Sequence, residues 1–118
     1  MFLIGLGLLA IAGPATASNW VPVDHNSQLS AYLDTSSVRS IESFKLAWTK
    51  YVHAAGNVRE YKSLDLYDCS GLKTAQKSAV EYERDGTNHS ANWNDYQLSW
   101  EAVVPDTLGE ALFNAVCR

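Results

Sequence analysis

The residues able to do chemistry in this chain are three histidines, two cysteines, alternating carboxylates and one tryptophan in a polar stretch. His25 follows Asp24, a neighbour that could orient a base, and His89 lies between Asp85 and Asp95. Catalysis would also need a nucleophile within hydrogen-bond reach. The chain has no Gly-x-Ser-x-Gly elbow to supply one. His25, His53 and His89 lack the paired spacing of a metal site, and no His-Glu-x-x-His run occurs. All three therefore read as surface or loop residues, with no catalytic residue, metal or cofactor expected. Glu81, Glu83 and Asp85 alternate along an extended segment, and a solvated strand edge accounts for them more simply than acid–base work does. Lys73, Lys77 and Arg84 make the same segment mildly basic, and Glu81 and Glu83 partly cancel that character.

Cys69 and Cys117 are the only thiols. In an oxidising compartment one intramolecular pairing is open to them, closing a long loop worth about 4 kcal/mol of chain entropy. Two buried free thiols are the competing reading. Zinc is a weaker one, because neither Cys has a Cys-x-x-Cys partner or a nearby His. Trp93 is flanked by Asn92, Asn94 and Asp95, a setting that exposes an aromatic ring and suits an interface anchor. Trp48, on an apolar strand face, is expected in the core.

The amino terminus supplies the compartment. Phe2 to Ala12 is apolar and uncharged, and Gly13-Pro14 and Ala15-Thr16-Ala17 follow it. A run this short spans about 16 Å as a helix, half of a bilayer core, and the last triplet fits signal-peptidase cleavage. The n-region has no Lys or Arg, unlike most such signals. Residues 1–17 are thus expected to be a signal peptide, and residues 18–118 a single exported domain, periplasmic or secreted. No Cys follows the apolar run, so neither a lipid anchor nor a membrane span is expected. A net charge of −4 argues against nucleic acid as a partner. With 47% hydrophobic and 19% charged residues, the composition is that of an ordinary globule.

Extended segments dominate the rest. Asn19 to Asp24 opens the domain, with Pro22 confined to a sheet edge because it cannot donate to a ladder. Leu29 to Leu33 runs into a turn at Asp34 to Ser37. Phe44 to His53 is the clearest strand, with Phe44, Leu46, Trp48 and Val52 on one face and Lys45, Thr49 and His53 on the other. Ala55-Gly56-Asn57 then turns into Val58 to Cys69, where Tyr61, Tyr67 and Cys69 oppose Val58, Leu64 and Leu66. Leu72 to Arg84 has both helical and alternating spacing, and the Asp85-Gly86 turn signal favours a strand. Thr87 to Asp95 reads as a strand followed by a loop, and Leu98 to Val104 is extended up to Pro105. Thr107 and Glu110 have capping-box spacing ahead of an apolar stripe at Leu108, Ala111, Leu112, Ala115 and Val116, which is a helix. The fold class is α+β, an antiparallel sheet with a C-terminal helix packed on one face.

The same residues resemble the surface-adhesin protein E family, small exported bacterial domains. The resemblance rests on Trp20, Tyr32-Leu33-Asp34, Ser37-Val38, Trp48 with Tyr51, and Tyr61 with Ser63. It continues through Asp68-Cys69, Tyr82 before Gly86, Trp100 to Pro105, and Cys117. It implies a twisted antiparallel sheet of about six strands, with the helix tied down by a Cys69–Cys117 bond. It also implies a binding protein that attaches bacteria to host extracellular-matrix proteins, so a host matrix or envelope protein is the expected partner. An exported inhibitor of an envelope or host hydrolase is the alternative, on size, export and the single disulfide.

Overall fold

The structure, a computed structural model, describes residues 17–118; the expected signal segment lies outside it apart from Ala17. Eight strands form one antiparallel sheet: β1 Trp20–His25, β2 Leu29–Asp34, β3 Arg39–Ile41, β4 Phe44–His53, β5 Val58–Asp68, β6 Lys73–Glu83, β7 Asn88–Asn92 and β8 Trp100–Ala102. Six of them follow the order β1-β2-β4-β5-β6-β7, matching the six expected; β3 and β8 are short additions beside β4 and β6. Among the described residues one α-helix, α1, spans Leu108–Cys117.

Local chemistry places each element. Pro22 lies in β1, an edge strand, where its missing N–H costs no ladder bond. The segment after β2 tightens into a 3₁₀ turn, Thr35–Ser37, around the buried Asp34 carboxylate. That carboxylate accepts the Asn19 N–H at 2.9 Å and the Ser36 hydroxyl at 2.6 Å. Burial alone would raise the Asp34 pKa; the Ser36 and Asn19 bonds overcome it and hold the group below its ordinary value. Gly86, at φ 96°, makes the turn from β6 into β7. The α1 cap forms as a box displaced by one residue. Thr107 Oγ1 accepts the Glu110 N–H at 3.1 Å, while the Glu110 carboxylate reaches the Asp106 N–H at 2.9 Å.

Two sequence expectations are corrected. Glu81 and Glu83 do not mark a sheet edge, because β6 lies between β5 on one side and β7 and β8 on the other. Trp48 lies outside the main core. That core joins Ala31, Leu33, Ala47 and Tyr67 of the sheet to Leu112, Phe113 and Val116 of α1. In β4 the helix therefore covers the face of Lys45, Ala47 and Thr49, and Trp48 is half-buried on the opposite face. Leu46, Leu66 and Ala75 are buried on that second face, which they share with the Phe44–Trp100 ring pair at 5.0 Å.

Cys69 decides which face is covered. It continues the side of β5 that carries Tyr67, and its bond to Cys117, with Cα atoms 5.6 Å apart, brings the end of α1 down there. Tyr67 and Phe113 meet with ring centroids 6.2 Å apart, and Lys45 Nζ donates to the Val116 carbonyl at 3.3 Å. The helix thus packs over Tyr67, as the shared face of Tyr61, Tyr67 and Cys69 predicts. The double substitution Cys69→Ala/Cys117→Ala is expected to cost about 2–4 kcal/mol in denaturant unfolding, since the bond closes a sequence separation of 48 residues. Labelling of two thiols per native chain would contradict the bond.

A polar cleft between the sheet and Trp93

Trp93 does not sit in a free loop. Its N–H donates to the Lys77 carbonyl at 2.9 Å, directly after β7, so the chain is still held to β6 there. Lys77 is the residue left over where the β5–β6 register shifts, between Leu64↔Ser78 and Asp65↔Gln76. Such a bulge re-aims side chains and bends the strand. The Trp93 ring is half-buried, and the aromatic left standing in solvent is Tyr96, at 84% exposure. A 3₁₀ turn, Asp95–Gln97, follows, in which the Asn94 N–H donates to Gln97 Oε1 at 2.8 Å.

The half-buried indole walls a cleft of about 320 Å³, together with Asp65, Thr74, Gln76, Gln97, Ser99 and Glu101. Three of these residues, Asp65, Thr74 and Gln76, also line a smaller cavity of about 140 Å³. Its other walls are Thr49, Tyr51, Tyr61, Ser63 and Tyr67, with Gly109 and Leu112 of α1 above them. Helix α1 rests on β1, β2, β4 and β5, so the β6–β8 side of this sheet face carries no helix.

Hydrogen bonds order the polar walls. Gln76 Nε2 donates to Tyr61 Oη at 2.9 Å and to Ser63 Oγ at 2.8 Å, which leaves the Gln76 carbonyl as an acceptor. Ser63 Oγ donates in turn to Asp65 Oδ1 at 2.5 Å, and Tyr67 adds a second hydroxyl bond to the carboxylate. Burial pushes the Asp65 pKa up to about 6, and the Ser63 and Tyr67 bonds, which favour the charged form, only partly offset it. Tyr67 and Tyr51 are both raised, by burial first and by the Asp65 charge next. The lining contains no His, Cys, Lys or Arg. Its chemistry is that of an acceptor site with net negative charge.

The three histidines lie elsewhere. His25 and His53 end β1 and β4, and His89 in β7 lies 3.2 Å from Glu83. Among the described residues, no three His, Cys, Asp or Glu groups converge as a metal site would require. Asp65 escaped the sequence reading, although a signal was present. It is a carboxylate on the tyrosine face of a long central strand, between Ser63 and Tyr67.

The helix-free face of the sheet carries a second arrangement. Lys50 and Lys62 are direct cross-strand partners, which like charges disfavour. Aromatic faces and one carboxylate compensate. Lys50 Nζ lies 4.5 Å from the Trp20 ring centroid and 5.3 Å from that of Tyr32. Lys62 Nζ lies 5.2 Å from the Tyr82 ring and 3.6 Å from Glu60 Oε2.

Ionisation of Asp65 works against folding. Its folded pKa of about 6 exceeds the ordinary 3.8, so the native state binds the proton more tightly and stability falls as pH rises through that interval. Asp65→Asn is expected to stabilise the protein at pH 7.5, by up to about 3 kcal/mol, and to change little below about pH 4. Denaturant melts at the two pH values check this, and an equal effect at both would contradict it.

The matching marks noted in the sequence now have places in the fold. Trp20 and Tyr32 are on the helix-free face, Trp100 packs on Phe44, and Cys117 binds Cys69. A family model described as Surface-adhesin protein E matches residues 20–118, from the first residue of β1 to the end of the chain. Comparison with curated proteins and with solved structures gives no match. On the match across residues 20–118, the chain belongs to the surface-adhesin protein E family.

Proposed function

We propose that the protein is an exported, non-catalytic binding module that attaches to a protein partner, of the class of host extracellular-matrix proteins. Family membership over residues 20–118 carries this reading, because the family is one of surface adhesins. The fold supports it physically. A sheet pinned to its helix by a disulfide presents side chains at low ordering cost, which is what a binding surface needs. The disulfide also fits an extracytoplasmic location, and among the described residues no helix is long and apolar enough to cross a membrane. In this reading residues 1–17 are a signal peptide removed on export, and the mature protein is periplasmic or secreted.

Trp93 is the anchor proposed for the partner. Its ring combines a large apolar area with a polar rim, the pattern that concentrates binding energy.

Three measurements test the reading. Intact mass of the exported protein is expected to correspond to a chain beginning near Ser18, and a mass that still includes Met1 to Ala17 would remove the signal peptide. The mature protein is expected to retain a component of a matrix extract in a pull-down and to leave a panel of hydrolases uninhibited. Inhibition without matrix binding would favour the hydrolase-inhibitor alternative. Trp93→Ala is expected to weaken matrix binding about tenfold or more, the effect of about 1.4 kcal/mol. Unchanged affinity would take Trp93 out of the site, and hydrolytic turnover lost on His25→Ala, His53→Ala or His89→Ala would overturn the non-catalytic reading.

A further inference from the structure

Several carboxylates of the fold have polar or charged partners. Asp34 holds two backbone N–H groups, Glu60 lies 3.6 Å from Lys62, and Glu83 lies 3.2 Å from His89. Asp65 has only neutral hydroxyls, those of Ser63 and Tyr67, although burial raises its pKa. Removing a carboxylate from water without a counter-charge is costly. The lysines of the adjoining strands are engaged elsewhere: Lys45 donates to the Val116 carbonyl at 3.3 Å, and Lys77 is paired with Asp95 at 3.2 Å.

Asp65 is not sealed in, because it forms part of the wall of the open 320 Å³ cleft. A second carboxylate, Glu101, lines the same cleft from β8, and Gln76 keeps its carbonyl unspent. Trp93 supplies an aromatic wall, the side chain best suited to hold a cation over its face. Two carboxylates, an amide acceptor and an indole, with no cation in the lining, describe a receptacle for positive charge.

We propose that this cleft is a socket for one basic side chain, lysine or arginine, of the protein partner. The inference rests on the reading of the protein as a binding module and names the chemistry its partner must present. The charged head enters between Asp65 and Glu101, its methylene stem lies along Trp93, and the hydroxyl-lined inner cavity takes up displaced water. A counter-charge then reaches a desolvated carboxylate that the fold leaves without one, so binding energy is gained where folding energy was lost.

The other titratable groups on this sheet face are Tyr61 and Tyr67 on β5, Tyr51 and Lys45 on β4, Glu81 on β6 and Glu101 on β8, and Lys77 of the β6 bulge is paired with Asp95. The tyrosines stay neutral and burial raises Asp65, so protonation of Asp65 in mild acid removes charge from the socket.

The test is a nuclear magnetic resonance titration of the mature protein with N-acetyl-arginine amide, N-acetyl-lysine amide, N-acetyl-norleucine amide and putrescine. The two basic amides are expected to shift the Trp93 indole N–H and the Gln76 and Gln97 side-chain amides saturably, and the norleucine analogue to leave them unmoved. Asp65→Asn is expected to weaken binding about tenfold or more, and Glu101→Gln, an exposed change that leaves the core alone, by a smaller factor. Thermal melts of both variants establish that each is folded. Affinity is expected to fall between pH 7.5 and pH 5 in the unsubstituted protein, and to change little in Asp65→Asn.

Equal response to the norleucine analogue, or unchanged affinity in both variants, would overturn the socket. Tighter binding of putrescine than of either amide would overturn a protein side chain as its occupant, in favour of a free polyamine. The outcome is separable from that of the matrix pull-down. Saturable binding of the basic amides without matrix capture would leave the socket standing and remove the adhesin reading, and the converse would remove the socket alone.

Discussion

A ten-residue helix has little stability of its own, and α1 exists because it is packed and tied. The Cys69–Cys117 bond decides where. Cys69 directly follows β5 on the side of Tyr67, so the helix must descend on that side, and the facing of the β4 and β5 residues follows. Ala31, Leu33, Ala47 and Tyr67 become core. Trp48 and Leu46, one position out of phase, are assigned to the other face. A disulfide one residue earlier or later along β5 would have inverted the sheet, since the strand period is two.

Helix size explains the cleft. Ten helical residues extend about 15 Å, whereas the eleven-residue strands β5 and β6 extend about 36 Å. Seated over β1, β2, β4 and β5, the helix leaves the β6–β8 flank of its own sheet face uncovered. That flank is filled with hydroxyls, amides and Asp65 in place of aliphatic side chains, and the chain after β7 folds back to roof it with Trp93. A short helix on long strands thus produces a partly enclosed, polar recess.

Both sheet faces keep charges where a purely stabilising design would not. Asp65 stays half-buried without a counter-ion, and Lys50 and Lys62 oppose each other across adjacent strands. On the helix-free face the Trp20, Tyr32 and Tyr82 rings and Glu60 settle the lysines internally. In the cleft nothing does so, and uncompensated strain of this kind collects where proteins bind. The two faces therefore differ in kind, one self-satisfied and one poised for an external charge.

Much of this was legible in the sequence. Alternation marked β4 and β5, the Asp85-Gly86 signal separated a strand reading of β6 from a helical one, and Thr107 with Glu110 marked the start of α1. Those signals are local, set by turn chemistry and side-chain period over a few residues. The pairing of two thiols was equally bounded, because no other intramolecular pair existed. Alternation alone does not decide which of two mixed faces meets the helix; apolarity points Trp48 to the core, whereas the position of Cys69 turns the opposite face to α1. β3 and β8, three residues each, were too short to have a period of their own. Trp93 stands out in the sequence for its polar neighbours, yet its half-buried position depends on a bulge at Lys77 that no residue type announces. Asp65 shows the division most sharply. The sequence fixes its place on a strand, but its desolvation and its missing counter-charge arise only when β5, β6, β8 and the Trp93 segment converge, because electrostatic environment belongs to neighbours in space.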